Sequence, residues 1–280
     1  MTAPAKKTIP GVVRMDWFRV SPVVEGVYRF AEPLGLADRS WEVSWVNSYL
    51  MVGCERAALI DTGLGFVPIR PLVESITHLP VIVLNTHSHW DHRGGDSEFE
   101  QVAIHGAEAQ SLLDRPDLDA LRRTLSRPGA RPFLPKGFDP AAYEVKPKKA
   151  TLLLGGGETV DLGGRRLRCL PVPGHSPGGL CFFEEETGLL FTGDNAYAGT
   201  MWLQTPDAEP ARLATGLRRL LAMDPSPRLL LPGHEEAPVG AGLLTDIEAG
   251  LNAALDGRGR SRRTRLGRRF DFGRFSILLA

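Results

Sequence analysis

The chain is most constrained by one stretch, residues 80–96, in which a short apolar segment is followed by three histidines and one aspartate within six residues. Imidazoles this close together repel one another if protonated, so a shared divalent cation is the simplest way to satisfy them. His87 and His89 alternate along the loop after the apolar segment, whereas Asp91 and His92 are adjacent and point in a different direction. Two groups of ligands predict a site for two metal ions.

The pattern His87-x-His89-x-Asp91-His92 after an apolar strand resembles the signature of the metallo-β-lactamase superfamily. Three further matches follow in the family's order, each after an apolar run: Gly174-His175-Ser176, Thr192-Gly193-Asp194 and Pro232-Gly233-His234. The resemblance implies two metal sites that share one aspartate. Their ligands are His87, His89 and His175 for the first ion, Asp91, His92 and His234 for the second, and Asp194 as the bridge.

Apolar runs of strand period and segments of helical period form two halves, each with strands followed by helices. This order fits the fold that the resemblance implies, an α/β (α+β) four-layer αββα sandwich with its ligands on loops at one edge of the sheets. The predicted strands are 23–30, 45–52, 56–60, 81–84, 102–105, 151–154, 158–162, 166–172, 180–184, 189–191, 228–231 and 270–279. The predicted helices are 67–77, 107–113, 213–221 and 239–255.

Length and composition favour one domain, residues 1–280, with 42% hydrophobic and 24% charged residues. The formal net charge of zero gives no global attraction to nucleic acid or to an anionic membrane, so the expected partner is a small-molecule substrate. No apolar run approaches the ~18 residues that a membrane span needs. Three widely spaced cysteines and an N-terminus without an apolar core predict a cytoplasmic protein. The oligomeric state is not specified by the sequence.

Two stretches interrupt the regular pattern. Residues 126–150 hold five prolines, two glycines and six Lys or Arg residues, and are too long for a simple connection. They form a candidate substrate lid whose Phe133, Leu134, Phe138 and Tyr143 could line a pocket, and a solvated loop packed by a few aromatic residues is the alternative. Residues 256–269 contain seven arginines. This composition predicts a solvated, flexible connection, and the more specific alternative is a surface patch that binds nucleic acid or another acidic partner.

Three further polar residues lie close to these motifs or between them. Asp61 begins a glycine-rich turn that resembles the early Asp-x-Gly turn of the superfamily, so we expect it to orient the metal loop without binding metal. A plain turn or cap is the alternative for Asp61. His105 is expected to end a strand, and His78, outside every motif, is expected on the surface.

The composition of the ligand set indicates the metal and the reaction. Five imidazoles and two carboxylates without a thiolate suit two zinc ions, and manganese, iron or cobalt would also be accepted. Two dications lower the pKa of a shared water so that hydroxide exists near neutral pH, and they polarise a substrate carbonyl. We therefore expect hydrolysis by a bridging hydroxide, with Asp91 as a candidate relay of the proton to the leaving group.

The resemblance favours a carboxylic ester, lactone or thioester as the substrate. Asp194 stands where one β-lactamase subclass has a cysteine, and residues 86–95 share the form of glyoxalase II-like thioesterases. Tyr197 follows Asp194 by three residues, the spacing of a tyrosine that reaches the substrate carbonyl in lactonase relatives. Packing of a semi-buried ring is the alternative for Tyr197. Hydrolysis of β-lactams or phosphodiesters, and a mononuclear iron oxygenase like the persulfide dioxygenases, stay open as alternative functions.

Overall fold

The computed structural model describes residues 13–15, 17–37 and 42–280, and for residues 13–15 only the backbone. The expectation that the N-terminus carries no targeting segment lies outside these residues. Within them, no helix is both long and apolar enough to cross a membrane.

The first sheet contains eight strands whose order in the sheet follows the chain. Pairing is antiparallel from β1 to β5 and parallel from β5 to β8. The carboxyl ends of β5, β6 and β7 therefore lie at one edge. The strands are β1 Val13–Met15, β2 Phe18–Val24, β3 Val27–Glu32, β4 Val46–Val52, β5 Ala57–Ile60, β6 Val81–Leu84, β7 Gln101–His105 and β8 Leu152–Leu154.

The second sheet has six strands in the order β15-β14-β12-β11-β10-β9. β12 and β14 are parallel and the other pairs are antiparallel, so β10, β12 and β14 all run in the same direction. The strands are β9 Thr159–Asp161, β10 Arg166–Pro171, β11 Leu180–Glu184, β12 Leu189–Gly193, β14 Leu229–Pro232 and β15 Val239–Gly240.

A third, four-stranded sheet has the order β13-β18-β17-β16, with β13 parallel to β18. Its strands are β13 Thr200–Leu203, β16 Arg260–Arg263, β17 Arg268–Asp271 and β18 Ser276–Leu279. Among residues 13–15, 17–37 and 42–280, five helices accompany the sheets. α2 and α4 each carry a proline in the first turn, where its fixed φ favours helix initiation. The helices are α1 Leu34–Ala37, α2 Arg70–Ile76, α3 Asp119–Leu125, α4 Pro210–Leu221 and α5 Gly242–Leu255.

Alternate residues of the central strands belong to two different cores. Ala58 and Ile60 of β5 pack in one cluster with Phe182 and Phe191 of the second sheet. Leu59, between them, belongs to a second cluster that includes the apolar residues of α2, α4 and α5. Since successive side chains point to opposite faces of a strand, the two large sheets pack face to face and the helices cover their outer faces. This is the predicted four-layer αββα sandwich.

Most predicted strands are confirmed to within two residues, and the differences have physical causes. The predicted strand 23–30 is divided between β2 and β3 because Gly26 takes a φ of +73° in the turn. The predicted helix 107–113 is wrong: the region holds a 3-10 turn, Gly106–Glu108, whose last side chain points into the protein. The predicted helix 239–255 begins only after β15.

The arginine-rich stretch 256–269 is not a flexible connection, because it contains β16 and begins β17 of a hairpin. The segment 270–279 is likewise not a single edge strand. It ends β17, turns, and continues as β18, which pairs with a strand on each side. The third sheet supplies these partners, and neither β13 nor α3 was predicted from the sequence.

Candidate metal centre

All seven predicted metal ligands meet at one edge of the two large sheets. The strands that precede them are parallel within each sheet, so the loops that follow these strands open at the same edge. A bridge between Val46 of β4 and His234 links the two sheets there. The first four ligands follow β6, and the others follow β10, β12 and β14 in turn: His87, His89, Asp91 and His92, then His175, Asp194 and His234.

Two glycines next to these ligands are required by close packing. A Cβ on Gly193 would lie 2.5 Å from Oγ1 of Thr86, and the residue has a φ of +50°. A Cβ on Gly233 would lie 2.7 Å from Cε1 of His92 and 2.8 Å from Oδ1 of Asp194. The glycines of the Thr-Gly-Asp and Pro-Gly-His motifs therefore let the ligand loops approach one another.

His87, His89 and His175 form the first group, with one ligand atom from each within 4.8 Å of the others. Nδ1 of His89 lies 3.0 Å from Nε2 of His175. The other nitrogen of His175, Nδ1, donates to the carbonyl of Trp202 at 3.0 Å, so the facing Nε2 carries a lone pair in the neutral ring. Nε2 of His87 is buried and has no hydrogen-bond partner among the described residues.

Asp91, His92 and His234 form the second group. Nδ1 of His92 donates to Oδ2 of Asp61 at 3.0 Å, and Nδ1 of His234 donates to the carbonyl of Trp45 at 3.1 Å. In the neutral rings the two Nε2 atoms therefore face each other with lone pairs, 3.3 Å apart. Two nitrogens on one tetrahedral zinc, each at 2.0–2.1 Å, are separated by about 3.3 Å, so a cation fits between them.

Asp194 reaches both groups. Its Oδ1 lies 3.2 Å from Nε2 of His92, and its Oδ2 lies 3.1 Å from Nε2 of His234 and 3.6 Å from Nε2 of His175. Oδ1 accepts no hydrogen bond from the described residues although it is buried. A buried carboxylate oxygen without a donor is costly, and two cations would satisfy it together with the orphaned imidazole nitrogens.

Burial and the carboxylates set the protonation of the cluster. Burial lowers the pKa of His87 well below its usual range and that of His175 to about 4, so both rings are neutral and can bind metal. Burial alone would raise the pKa of Asp194, but His234 and His92 outweigh it and hold this pKa well below its usual range. His87 and His175 are therefore neutral imidazoles and Asp194 is an ionised carboxylate, the forms in which these groups bind cations. Burial would lower the pKa values of His92 and His234, but Asp194 outweighs it and raises both, so a cation bound at these two rings displaces protons.

A family model described as the metallo-β-lactamase superfamily matches residues 43–234, which include all seven ligands. The chain belongs to the metallo-β-lactamase superfamily. It is 31% identical over 232 residues to the acyl-coenzyme A thioesterase MBLAC2 of Gallus gallus, covering 79% of this chain and 81% of that protein. It is also 29% identical over 230 residues to the hydroxyacylglutathione hydrolase of Anaeromyxobacter dehalogenans, covering 75% and 74% of the two chains.

The fold agrees with this assignment. A solved metallo-β-lactamase family protein from Thermus thermophilus superposes with a TM-score of 0.62, covers 84% of this chain and 82% of its own, and shares 24% identity. A metallo-β-lactamase from Pontibacter korlensis superposes with a TM-score of 0.59 at 18% identity, over 84% of this chain and 99% of its own. The protein is therefore a superfamily hydrolase with the metallo-β-lactamase fold and a cluster of candidate metal ligands.

Asp61 holds the loop of candidate ligands through hydrogen bonds to Thr86 and His92. It is buried and adopts a φ of +58°, a conformation that Asp tolerates better than most residues. Its Oδ1 accepts from the Thr86 amide at 2.7 Å, and its Oδ2 accepts from the Thr86 hydroxyl at 2.8 Å and from His92. The Thr86 oxygen in turn accepts from Nδ1 of His87 at 2.9 Å. Asp61 thus orients one ligand of each group, as its turn motif led us to expect.

Glu108 is a supporting residue that the sequence did not reveal. Its Oε2 accepts from the Ser88 amide at 2.6 Å, and its Oε1 accepts from the Ser176 hydroxyl at 2.5 Å and from the Gly178 amide at 2.8 Å. Ser88 lies between His87 and His89, and Ser176 follows His175. One buried carboxylate therefore fastens together the two loops that carry the first group. The only signal in the sequence was an acidic residue between two alanines just after β7.

A second supporting residue, Arg29, was also missed. Its guanidinium donates to the carbonyls of Glu235 and Ala237 at 2.7 and 3.0 Å and to Oδ1 of Asn47 at 2.8 Å. Nδ2 of Asn47 donates to the carbonyl of Pro232 at 3.0 Å. Together they hold the loop that presents His234 against β3 and β4.

A cavity of about 250 Å³ opens beside the cluster and exposes five of the ligands, His89, Asp91, His175, Asp194 and His234. Most of its remaining wall is apolar or aromatic. The wall residues include Leu34, Val43, Trp90, Trp202, Gln204 and Thr205. The cavity can therefore hold a largely apolar group directly beside the metal ligands.

Tyr197 also lines this cavity, and its ring centroid lies 5.2 Å from that of His234. Its side chain is buried, and its hydroxyl donates to the carbonyl of Thr200. Burial raises the pKa of Tyr197 well above its usual range, so the hydroxyl keeps its proton. The hydroxyl is thus close to the ligands, but its proton already has an acceptor.

The remaining candidates lie away from the cluster. His105 ends β7 and its Nδ1 accepts from the Ala107 amide, and His78 is exposed, as predicted for both. In the lid segment, Phe138 stacks on Phe66 at 4.5 Å and the Tyr143 hydroxyl donates to the carbonyl of Leu64 at 2.6 Å. In the described part of the chain, no residue of 126–150 lines the cavity beside the ligands. The lid role of this segment stays a prediction.

Proposed function

We propose that the protein is a dinuclear zinc hydrolase of thioesters, with acyl-coenzyme A esters as its preferred substrates. The observation that carries the proposal is the arrangement of seven candidate ligands as two groups with Asp194 beside both, next to a cavity with an apolar wall. Similarity to an acyl-coenzyme A thioesterase over about four fifths of both chains supports the choice of leaving group. Similarity to a hydroxyacylglutathione hydrolase supports the same reaction on another thiol.

The reaction joins an oxygen of water to the thioester carbonyl carbon and breaks the carbon–sulfur bond, giving a carboxylic acid and a thiol. Two bound divalent cations supply Lewis acidity and make water acidic enough to ionise near neutral pH. The chain itself positions the imidazole rings before the substrate binds. The rings are held by Asp61 and by the carbonyls of Trp45 and Trp202, and the loop of His87 and His89 is held by Glu108. The apolar wall of the cavity holds the acyl group and excludes bulk water.

Asp91 and Tyr197 are proposed as the two residues that act on the substrate. The side chain of Asp91 is 15% exposed, more than the other second-group ligands, and its Oδ2 lies 3.6 Å from Nε2 of His234. Asp91 can therefore carry a proton to the departing sulfur at the open side of the cavity. Tyr197 would donate to the carbonyl oxygen as charge develops there, in competition with its bond to Thr200.

The substrate proposal is tested with one acyl group attached to different leaving groups. Zinc-loaded protein is assayed on the acyl-coenzyme A, on the corresponding acylglutathione, on a simple carboxylic ester and on a lactone, with a β-lactam and a phosphodiester as further arms. We expect the highest kcat/KM on the coenzyme A ester. A higher kcat/KM on the lactone or on the glutathione ester would overturn the choice of substrate.

The metal proposal is tested by elemental analysis of protein reconstituted with zinc. The seven ligands predict about two ions per chain, because one tetrahedral ion uses only three or four of them. A ratio that stays near one after reconstitution would contradict the dinuclear site. Iron as the metal of freshly purified protein, with oxygen consumption during turnover, would instead favour the oxygenase alternative.

A further inference from the structure

The hairpin of β16 and β17 places like charges opposite each other. Arg262 lies directly across from Arg269, and Arg263 lies across from Arg268. Like charges at directly opposed positions destabilise a sheet. The stability of the hairpin therefore does not explain why these positions hold arginine.

Few of these charges are neutralised by the protein. Among the residues that the structure describes, Arg269 is the one arginine of β16 and β17 with a carboxylate within 4.0 Å, and its partner is Glu42. Arg260, Arg262 and Arg263 are exposed. The hairpin is thus a local concentration of positive charge in a chain of zero formal net charge, and it attracts anions.

The register of the third sheet relates this charge to the cavity. Trp202 of β13 pairs with Leu278, Leu278 pairs with Arg269, and Arg269 pairs with Arg262. Directly opposed residues project on the same face of a sheet. Arg262 therefore projects on the face of Trp202, which lines the cavity. Arg263, the next residue, projects on the other face.

A second set of contacts leads from the cavity to the same arginines. Val43 lines the cavity, and its neighbour Glu42 accepts from the Thr200 hydroxyl at 3.1 Å and pairs with Arg269. The base of the hairpin is thus joined to the wall of the cavity by one residue.

The distance suits a ligand with a long flexible arm. Three steps between neighbouring strands, each of about 4.8 Å, separate the backbones of Trp202 and Arg262 by about 14 Å. In coenzyme A, about a dozen bonds join the sulfur to the first phosphate, a length comparable to four extended residues or about 13 Å. A thioester bound in the cavity beside Trp202 would therefore bring its first phosphate near the hairpin.

We propose that Arg260, Arg262 and Arg269 bind the phosphate groups of the nucleotide end of an acyl-coenzyme A substrate. This site rests on the proposed thioesterase function and extends it to the recognition of the leaving group. Guanidinium groups bind phosphate oxygens through paired hydrogen bonds. Arg269 remains fixed by Glu42 while Arg260 and Arg262 are free to move toward the ligand.

Binding is measured first, without turnover, by calorimetry of the zinc-loaded protein with desulfo-coenzyme A, which lacks the reactive sulfur. The double variant Arg260→Gln/Arg262→Gln should weaken binding by on the order of tenfold, since hydrogen bonds to charged groups are lost. The matched control Arg263→Gln/Arg265→Gln removes the same charge elsewhere on the hairpin and should bind like the parent. Equal weakening in both variants, or no weakening in the first, overturns the proposal. An equally tight complex with a short single-stranded oligonucleotide also overturns it, because the hairpin is then a general polyanion site.

Kinetics separate this proposal from the proposed function. In the Arg260→Gln/Arg262→Gln variant, KM for the acyl-coenzyme A should rise by on the order of tenfold while kcat is retained. An acyl-N-acetylcysteamine thioester lacks the nucleotide, so the variant should cleave it with the same kcat/KM as the parent. If the parent enzyme cleaves neither thioester, the proposed function is disproved. The phosphate site would still be supported in that case if binding of desulfo-coenzyme A depends on Arg260 and Arg262. Thioester hydrolysis with unchanged KM in the variant disproves the phosphate site alone.

Discussion

The two groups of candidate metal ligands both lie beside Asp194 but are supported by different parts of the molecule. The first group depends on loops: Glu108, on a 3-10 turn, fastens the loops of His87, His89 and His175, and the carbonyl of Trp202 orients His175. The second group depends on the first sheet. Asp61, directly after β5, orients His92, and the carbonyl of Trp45, directly before β4, orients His234.

This contrast indicates that the two groups of candidate ligands are held by two partly independent supports. Loops tied by one carboxylate lose their geometry together when the carboxylate is removed, whereas a ligand backed by a strand keeps its backbone position. Outer partners of metal ligands typically contribute 10–100-fold to metal affinity. A change in Glu108 should therefore affect mainly the first ion. A change in Asp61 should affect mainly the second, because Asp61 bonds His92 directly and reaches His87 only through Thr86, and a change in Asp194 should affect both.

The largest effect is expected for Asp194→Ala, because this carboxylate lies beside ligands of both groups. Its loss should lower occupancy of both ions and reduce kcat/KM by more than the ~100-fold typical of outer partners. Elemental analysis after zinc reconstitution and steady-state kinetics provide the measurement. Full occupancy of both ions in this variant would remove Asp194 from the ligand set.

The next effect is expected for Glu108→Gln, which keeps the shape of the side chain but gives it one donor in place of an acceptor. Three hydrogen bonds converge on this carboxylate, so affinity for the first ion should fall by tens of fold, up to about 100-fold. Chelator titration followed by elemental analysis measures the loss, and a crystal structure with one equivalent of zinc should show the ion at His92 and His234. The control is Glu98→Gln, which removes a carboxylate that accepts from Ile69 and Arg70 outside the site.

A smaller effect is expected for Asp61→Asn, and mainly on the other ion, because Asp61 bonds His92 directly and reaches His87 only through Thr86. Asparagine tolerates the positive φ of this position, and its carbonyl in place of Oδ2 can keep the bonds from the Thr86 hydroxyl and His92, but its amide group then faces the Thr86 amide and loses that bond. Affinity for the second ion should fall by roughly tenfold, measured by the same chelator titration. If Asp61→Asn and Glu108→Gln release the same ion first, the two supports are not independent and the comparison fails.

The smallest effect is expected for Tyr197→Phe. The hydroxyl already donates to the Thr200 carbonyl, so its removal should have only a modest effect on catalysis. We expect kcat/KM to fall by about tenfold, the lower end of the range for loss of one preorganised hydrogen-bond donor, and zinc content to stay unchanged. Activity equal to that of the parent on the thioester and lactone would mean that the ring only packs against His234. The assignment of the metal ligands does not depend on this result.

The clustering of the candidate ligands and most of the strands could be predicted from the sequence alone. His87, His89, Asp91, His92, His175, Asp194 and His234 each follow an apolar run, and alternating apolar residues specify buried strands whatever lies next to them. Glycine before a ligand was also visible, since close packing of ligand loops requires it. These features are local, so a linear pattern contains them.

The supporting residues and the third sheet depend on contacts that form only in the folded chain. Glu108 and Arg29 act on loops 20 to 208 residues away in the sequence, and no local pattern marks a side chain whose partners are that distant. The arginines of 256–269 form a hairpin because β18 pairs with β17, and β18 is itself held by β13 from far earlier in the chain. Strand pairing and buried polar contacts are set by which segments the core brings together. That is why the cluster of candidate ligands and the supporting role of Asp61 could be predicted from local motifs, whereas the roles of Glu108 and Arg29 could not.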